Sequence, residues 1–354
     1  MSRDVAIVSF ASTSVTNTDV TETQLLYPVV TEAIEQSGIR RDEIEFTCAG
    51  SCDYLQGAPF AFVSNLEATG AWPPISESHV EMDGAWALYE AWVRLQDGDI
   101  DVALAFSSGV SSRAVDLNEV TNVQLDPYYL MPLWPGHLAL NALQARALLD
   151  KGTYTERDFA AVAARSRSDG RSVDDLLNEP YVASPLRAHD LPPVNDGAAA
   201  VVMVAGDRAK EVCSRPAWIT GIDHRTDAHY PGVRDLATAT SARIAAEKAG
   251  VGDGDVDVAE LYAATSAQEL ILRDALGLGD KVEINPSGGA LASHPFMVAG
   301  LTRIGEAFRQ INENGCNRVV AHATSGPALQ QNLVAVLSAE MNTLAAPTMN
   351  GVAR

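Results

Sequence analysis

The chain has 354 residues, 47% of them hydrophobic and 20% charged, which suits a soluble globular protein of one large or two ordinary core-forming domains. Its formal charge of −21 disfavours nucleic acid and anionic membrane surfaces as partners, since both need basic patches. No run of about 18 apolar residues exists, so no membrane span is expected, and an N-terminus without a signal-peptide core makes the cytoplasm the expected compartment. The four cysteines, Cys48, Cys52, Cys213 and Cys316, form no zinc pattern. Cys48 and Cys52 are spaced like half a metal knuckle, but no second pair follows.

Residues 4–10 read as a buried strand. A helix is expected over 21–37, capped by Thr23 or a neighbour, with Leu25, Val29, Ala33 and Ile34 on one face. Strand 43–49 leads into Gly50-Ser-Cys52-Asp53, and a helix is expected over 58–69. After Pro73-Pro74 and Ser78-His79-Val80, helical apolar spacing runs through Gly84 to Gly98, which stops it as a C-terminal cap. Strand 101–106 then enters Ser107-Ser108-Gly109. Residues 113–193 hold Tyr128-Tyr129, Trp134-Pro-Gly136, helices near 138–150 and 156–170, and several prolines. They read as a loop-and-helix insertion over one face of a sheet, a kind of segment that shapes binding sites. Strand 195–205 returns to the core.

The second half repeats the order: strand 217–222, helix 235–249, strand 256–262 and helix 266–276. Then comes Asn285-Pro-Ser-Gly-Gly-Ala-Leu-Ala-Ser-His294-Pro295 with a helical run over 296–310, strand 318–322, the turn to Pro327, and a last strand 332–337. Two glycines permit positive φ or close approach, and proline is pre-set for a first helical turn. His294 is therefore expected at the mouth of a helix, beside free backbone N–H groups that favour anions and polarised carbonyls. Taken alone, the stretch fits better a tight turn that packs a helix on a sheet. Gly84, Gly98, strand 101–106 and Gly109 match Gly288-Gly289, Gly315, strand 318–321 and Gly326. One supersecondary unit thus occurs twice. The expected architecture is α/β, with two related halves (1–212, with the insertion 113–193, and 213–354) and mixed sheets around shared central helices.

These residues resemble the thiolase superfamily, in particular the lipid-transfer-protein-like (sterol-carrier-type) thiolases. The resemblance rests on Asp101-Val-Ala-Leu after Gly98, Asp196-Gly-Ala-Ala-Ala, Glu260-Leu-Tyr262 followed by Gln268-Glu-Leu, and the 285–295 stretch. It implies a thiolase-like fold, two pseudo-repeated halves in five α-β-α-β-α layers, with a homodimer formed through the core sheets. The family's chemistry uses a nucleophilic cysteine before the first-half helix, an Asn or His after the Glu-Leu strand, a His in Gly-His-Pro and a second cysteine after the penultimate strand. Such a thiol is lowered by a helix N-terminus, a His relays the proton and paired donors hold the thioester oxyanion. Here the matching positions are Glu81, Tyr262, His294 and His322.

Without the nucleophile, acyl transfer through an acyl-cysteine is disfavoured, and a carboxylate, a phenol and two imidazoles suit proton transfer at a β-hydroxy thioester. The chain most resembles the branch of steroid side-chain aldolases that lack the catalytic cysteine. These cleave β-hydroxyacyl-CoA and work with a small OB-fold/zinc-ribbon partner; they place tyrosines where His294 and Pro327 stand here. The resemblance implies an acyl-CoA substrate, no cofactor beyond the coenzyme A it carries, and no metal. His294, Tyr262, His322 and Glu81 would be catalytic, and Gly289, Ser293 and Gly326 would lie at the substrate or oxyanion, with Tyr128 and Trp134 over the acyl group. Structural alternatives stand beside these: Tyr262 as a ring packed at a strand end, Glu81 as a carboxylate favouring a helix dipole, His322 as a satisfied strand-end histidine, and the aromatic rings as core packing. Two other functions stand beside the lyase. One is a catalytically degenerate thiolase-like subunit of a hetero-oligomer. The other is a Claisen thiolase using Cys52, which has no helix start beside it to lower its pKa.

Overall fold

The computed structural model describes residues 3–341 apart from 18, 71, 114, 115 and 168. The first half contributes strands β1 (Val5–Val15), β2 (Phe46–Gly50), β3 (Ser76–Val80) and β4 (Val102–Val110). Its helices are α1 (Glu22–Ser37), α2 (Asp53–Gln56), α3 (Val63–Thr69) and α4 (Gly84–Asp97). Then follow α5 (Leu117–Val123), α6 (Gly136–Lys151), α7 (Glu156–Arg167) and α8 (Val173–Leu177), a small hairpin of β5 (Tyr181–Ala183) and β6 (Leu186–Arg187), and β7 (Asp196–Ala205). The second half adds α9 (Arg208–Val212), β8 (Ala217–Thr226), α10 (Thr240–Ala249), β9 (Val258–Leu261) and α11 (Ser266–Ala275). It closes with β10 (Glu283–Ile284), α12 (Gly289–Ala292), α13 (Ala299–Asn312), β11 (Arg318–Ser325) and β12 (Gln331–Ser338). Residues 342–354, the end of the second half as drawn from sequence, lie outside the described residues.

Two five-stranded units of one order make up the main sheet, β3-β2-β4-β7-β1 and β10-β9-β11-β12-β8. In each, the two pairings nearest the junction are antiparallel and the two outer ones parallel. The units meet where β1 and β8 share a short register, Ala6 opposite Trp218 and Ile7 opposite Ala217. Helices α4 and α13 pack on each other, α4 against β4 and β2, α13 against β11, β9 and β1. Outside lie α1 on the first unit and α10 on the second. This is the layered α/β arrangement expected.

Local chemistry accounts for these elements. Thr21, not Thr23, caps α1, in a reciprocal box with Gln24. Gly38 ends the helix in the left-handed region, at φ 68°. All ten residues of β7 and all nine of β4 are buried, because helices cover both faces. Gly305 lets α13 lie on β1, since a Cβ there would overlap the Phe10 ring.

Three expectations change. The helix over 58–69 shrinks to α3, with Phe60 at φ 56° ahead of it. The polar segment Ser-Glu-Ser-His-Val at 76–80 is a strand, β3, paired with β2 alone; it lacks the apolar alternation that marks a strand locally. The helical run after His294 begins at Ala299, because Met297 takes φ 68°. The insertion packs across the halves: Leu148, Phe159 and Leu186 share an apolar cluster with Leu270, Leu272 and Leu276.

Candidate active site

A cleft of about 740 Å³ collects side chains from the turn before α4, the end of β9, the 294–297 turn, the β11–β12 hairpin and the insertion. Tyr262 sits just beyond β9. In that strand Leu261 faces the outer helices, while Glu260 ion-pairs with Arg303 of α13 at 3.0 Å. Alternation puts Tyr262 on the same inner side as Glu260. Its ring packs on Ala290 and Ala299, and its hydroxyl lies 2.7 Å from His294 Nε2.

The 294–297 turn is tied down at every residue. The His294 N–H donates to Asn195 Oδ1 (3.0 Å) and Pro295 bridges Asn195. The Phe296 N–H donates to Ser111 Oγ (3.2 Å), and the Met297 carbonyl accepts from the Gly84 N–H (3.0 Å). Burial, with the charges of His137 and Arg303 acting the same way, pushes the His294 imidazolium pKa down to about 4. Burial raises the Tyr262 phenol above the ordinary tyrosine range, and the charge of Asp83 adds to it. At neutral pH the ring is neutral and the phenol protonated.

Asp83, which the sequence reading did not single out, also lines the cleft. It is the N-cap of α4 and is fully enclosed. One oxygen accepts from the Ala85 (2.9 Å) and Leu301 (3.0 Å) N–H groups, the other from Gly300 (2.9 Å). A Cβ on Gly300 would overlap this carboxyl group. Burial pushes the Asp83 pKa up against those three donors. Three backbone N–H groups converge on it, an arrangement that favours the ionised carboxylate.

Of the expected site residues, Glu81, Tyr262, His294 and Gly326 line this cleft. The Glu81 carboxylate accepts from the Asp53 N–H at 2.5 Å and is raised by burial. His322 does not reach the cleft. Its neighbours Ala321 and Ala323 face the central helices, so alternation turns His322 outward. There it is wholly buried, bonded to Asn332 Oδ1 at 2.9 Å, with its pKa lowered to about 4 by burial. Gly289 and Ser293 lie off the cleft as well. Gly289, at φ 63°, gives its N–H to Ser287 Oγ (3.3 Å), and Ser293 Oγ meets Ser14 Oγ at 2.6 Å. Tyr128 and Trp134 stand outside it, 81% and 50% exposed, and so neither cover it nor pack in the core.

Besides Asp83, His137 and Gln268 line the cleft, and neither was expected there as a site residue. His137 stands in the first turn of α6 and faces the cleft. Gln268 is held by Gln144 (2.9 Å) and Asn141 (3.2 Å). A histidine directly after Gly136 was a readable signal; the amide network joins residues over a hundred positions apart and had none.

No cysteine is among the lining residues. Cys52 does cap a helix, the four-residue α2, contrary to the expectation. Burial outweighs that short helix and pushes its thiol up to about 11, and Cys48 to about 12. Among the described residues no Lys or Arg lines the cleft, and no group of three or more His, Cys, Asp or Glu could hold a metal ion.

Strand order, paired central helices and the position of the cleft define a thiolase-like α/β protein. The human mitochondrial 3-ketoacyl-CoA thiolase superposes with TM-score 0.77 at 17% identity, covering 95% of this chain and 99% of that one. A structure described as an Ltp2-ChsH2(DUF35) aldolase superposes with TM-score 0.78 at 19% identity, over 95% and 97% of the two chains. In sequence, an acetyl-CoA acetyltransferase of Methanothermobacter thermautotrophicus is 24% identical over 92% of this chain and 95% of its own. Sterol carrier protein 2 of Gallus gallus is 26% identical over 85% of this chain and 64% of its own. No family model matches the chain. No helix among the described residues is long and apolar enough to cross a membrane.

Proposed function

We propose that the chain is a carbon–carbon lyase that cleaves a β-hydroxyacyl-CoA with a bulky, steroid-type substituent into a ketone or aldehyde and a shorter acyl-CoA. The observation that carries this is the Tyr262–His294 pair, 2.7 Å apart on a cleft that no thiol lines. The neutral His294 ring takes the β-hydroxyl proton, directly or through Tyr262 Oη. The Cβ–O bond becomes a carbonyl, the Cα–Cβ bond breaks, and its electron pair passes to Cα and the thioester oxygen. Tyr262, kept protonated, donates to that oxygen. The imidazolium is a strong acid at a pKa of about 4 and returns the proton to Cα. Proton and electrons balance without an oxidant or a covalent enzyme intermediate. The likeness to a structure described as an aldolase agrees with this reading.

A second reading, a subunit that completes its substrate site with another chain, is favoured by the absence of Lys and Arg from the cleft lining. The phosphates of coenzyme A need cations, and an OB-fold/zinc-ribbon partner is the source we propose. A homodimer is proposed through β3, which ends the strand run with one edge unpaired within the chain.

The test incubates the full chain, with and without such a partner, with a 3-hydroxyacyl-CoA and looks for free carbonyl product and shortened acyl-CoA. Absence of cleavage with every β-hydroxyacyl-CoA tried sinks the lyase. Turnover of the complex that is indifferent to His294→Ala and Tyr262→Phe makes the chain a scaffold.

A further inference from the structure

The first-turn N–H groups of the two central helices can be accounted for one by one. In α4, Gly84 donates to the Met297 carbonyl, Ala85 to Asp83 Oδ1 and Trp86 to the Asp83 carbonyl. In α13, Ala299 donates to the Pro295 carbonyl, Gly300 to Asp83 Oδ2, Leu301 to Asp83 Oδ1 and Thr302 to the Val298 carbonyl. Helix starts ordinarily leave such donors open, and their partial positive charge stabilises an anion placed there. Here none is open. A single side chain, Asp83, takes three of them and brings its own negative charge to the point where both helices begin.

We propose that Asp83 is a built-in anion that fills the shared mouth of the two central helices, closing the site to thiolate chemistry and leaving the side chains of Tyr262 and His294 as its proton-transfer machinery. Three observations carry this. The carboxyl group is fully enclosed, it accepts from both helices at 2.9–3.0 Å, and it lines the same cleft as Tyr262 and His294. Glu81, two residues before it, lines the same cleft and turns its carboxylate to the Asp53 N–H. At the start of α4 and α13 a thiolate would meet a like charge in place of open N–H donors; the donor left to position 81 is the Asp53 N–H, which the Glu81 carboxylate now takes at 2.5 Å. An oxyanion in the cleft would likewise have to be held by side-chain hydroxyl, imidazole or amide groups. Asp83 acts through its neighbours and is a positioning residue. The proton-transfer half of the inference rests on the lyase reading; the thiolate half does not.

The test needs no substrate, so its outcome is read apart from turnover. Glu81→Cys is made in the full chain, and alkylation of that one cysteine by iodoacetamide is followed against pH by peptide mass spectrometry. The Asp53 N–H that Glu81 leaves acts on the thiol in every variant at position 81, so the midpoint with Asp83 present is the reference. In Glu81→Cys/Asp83→Asn, which keeps the shape and removes the charge, the midpoint should fall by about one pH unit or more, a roughly tenfold gain in thiolate at neutral pH. An unchanged midpoint in the folded double variant overturns the proposal. If that double variant does not fold, Glu81→Cys/Asp83→Ser, which also removes the charge, takes its place in the comparison.

Discussion

The Tyr262 hydroxyl lies 2.7 Å from His294 Nε2, joining the end of β9 to the turn that leads α13. Tyr262→Phe keeps the ring packed on Ala290 and Ala299 and removes only the hydroxyl. His294→Ala removes the base. Each should lower kcat by about 10²–10⁴-fold, the usual worth of a positioned acid or base, and the double variant should lose little more than the worse single one. The pH–rate profile tests the protonation states. Because the His294 ring stays neutral down to about pH 4, kcat/KM should hold through pH 6.5 and fall only on approach to 4. An acid limb centred at 6.5 would remove His294 as the base.

His322 should govern acid stability and leave chemistry alone. Its folded pKa of about 4 lies below the free-imidazole 6.5, so folding favours the neutral ring. The sign follows: stability is fully present above pH 6.5, falls as pH drops, and is lost by pH 4, about 3 kcal/mol in all. His322→Gln keeps an amide beside Asn332 and cannot titrate. Its urea midpoint should drop less than wild type between pH 7 and 4.5, while turnover at pH 7 stays near wild type.

The buried Glu260–Arg303 pair fastens α13 to β9 and keeps Tyr262 in register. Ser287 Oγ donates a further bond to Glu260 at 2.6 Å. Arg303→Met strands the carboxylate in the core and should cost about 3–5 kcal/mol. Glu260→Leu combined with Arg303→Met should recover most of that loss. Urea unfolding of the two variants and wild type measures it; equal midpoints for the single and double variants would show the pair to be unimportant.

Thiol reagents separate the lyase from a Claisen thiolase. Cys48, Cys52 and Cys213 are buried and Cys316 is partly exposed. Mild alkylation of the native protein should label Cys316 first and leave turnover intact. Loss of turnover in step with labelling of Cys52 would restore the thiolase reading.

Much of the fold was legible in the sequence. The apolar stretches of β1, β4 and β7, the cap at Gly98 and the repeated strand-turn-helix unit are all local patterns. β3 was not, since its five polar-leaning residues are a strand only because β2 offers its edge. The placement of His322 failed for a different reason. Its position before Gly326 suggested the cleft, and a strand's two-residue period turned it to the other face.

By itself the sequence determined the repeated α/β plan, because periodicity, turn residues and motif order act over short spans; the resemblance to thiolases, not a local pattern, pointed to Glu81 and Tyr262. Only the tertiary structure decided which side chains meet. The Tyr262–His294 contact joins two segments that no local pattern relates. The Asp83 carboxylate spans 218 positions to reach Leu301. That reach is set by how α4 and α13 pack, and it replaced the open helix mouth expected beside His294 with one already filled.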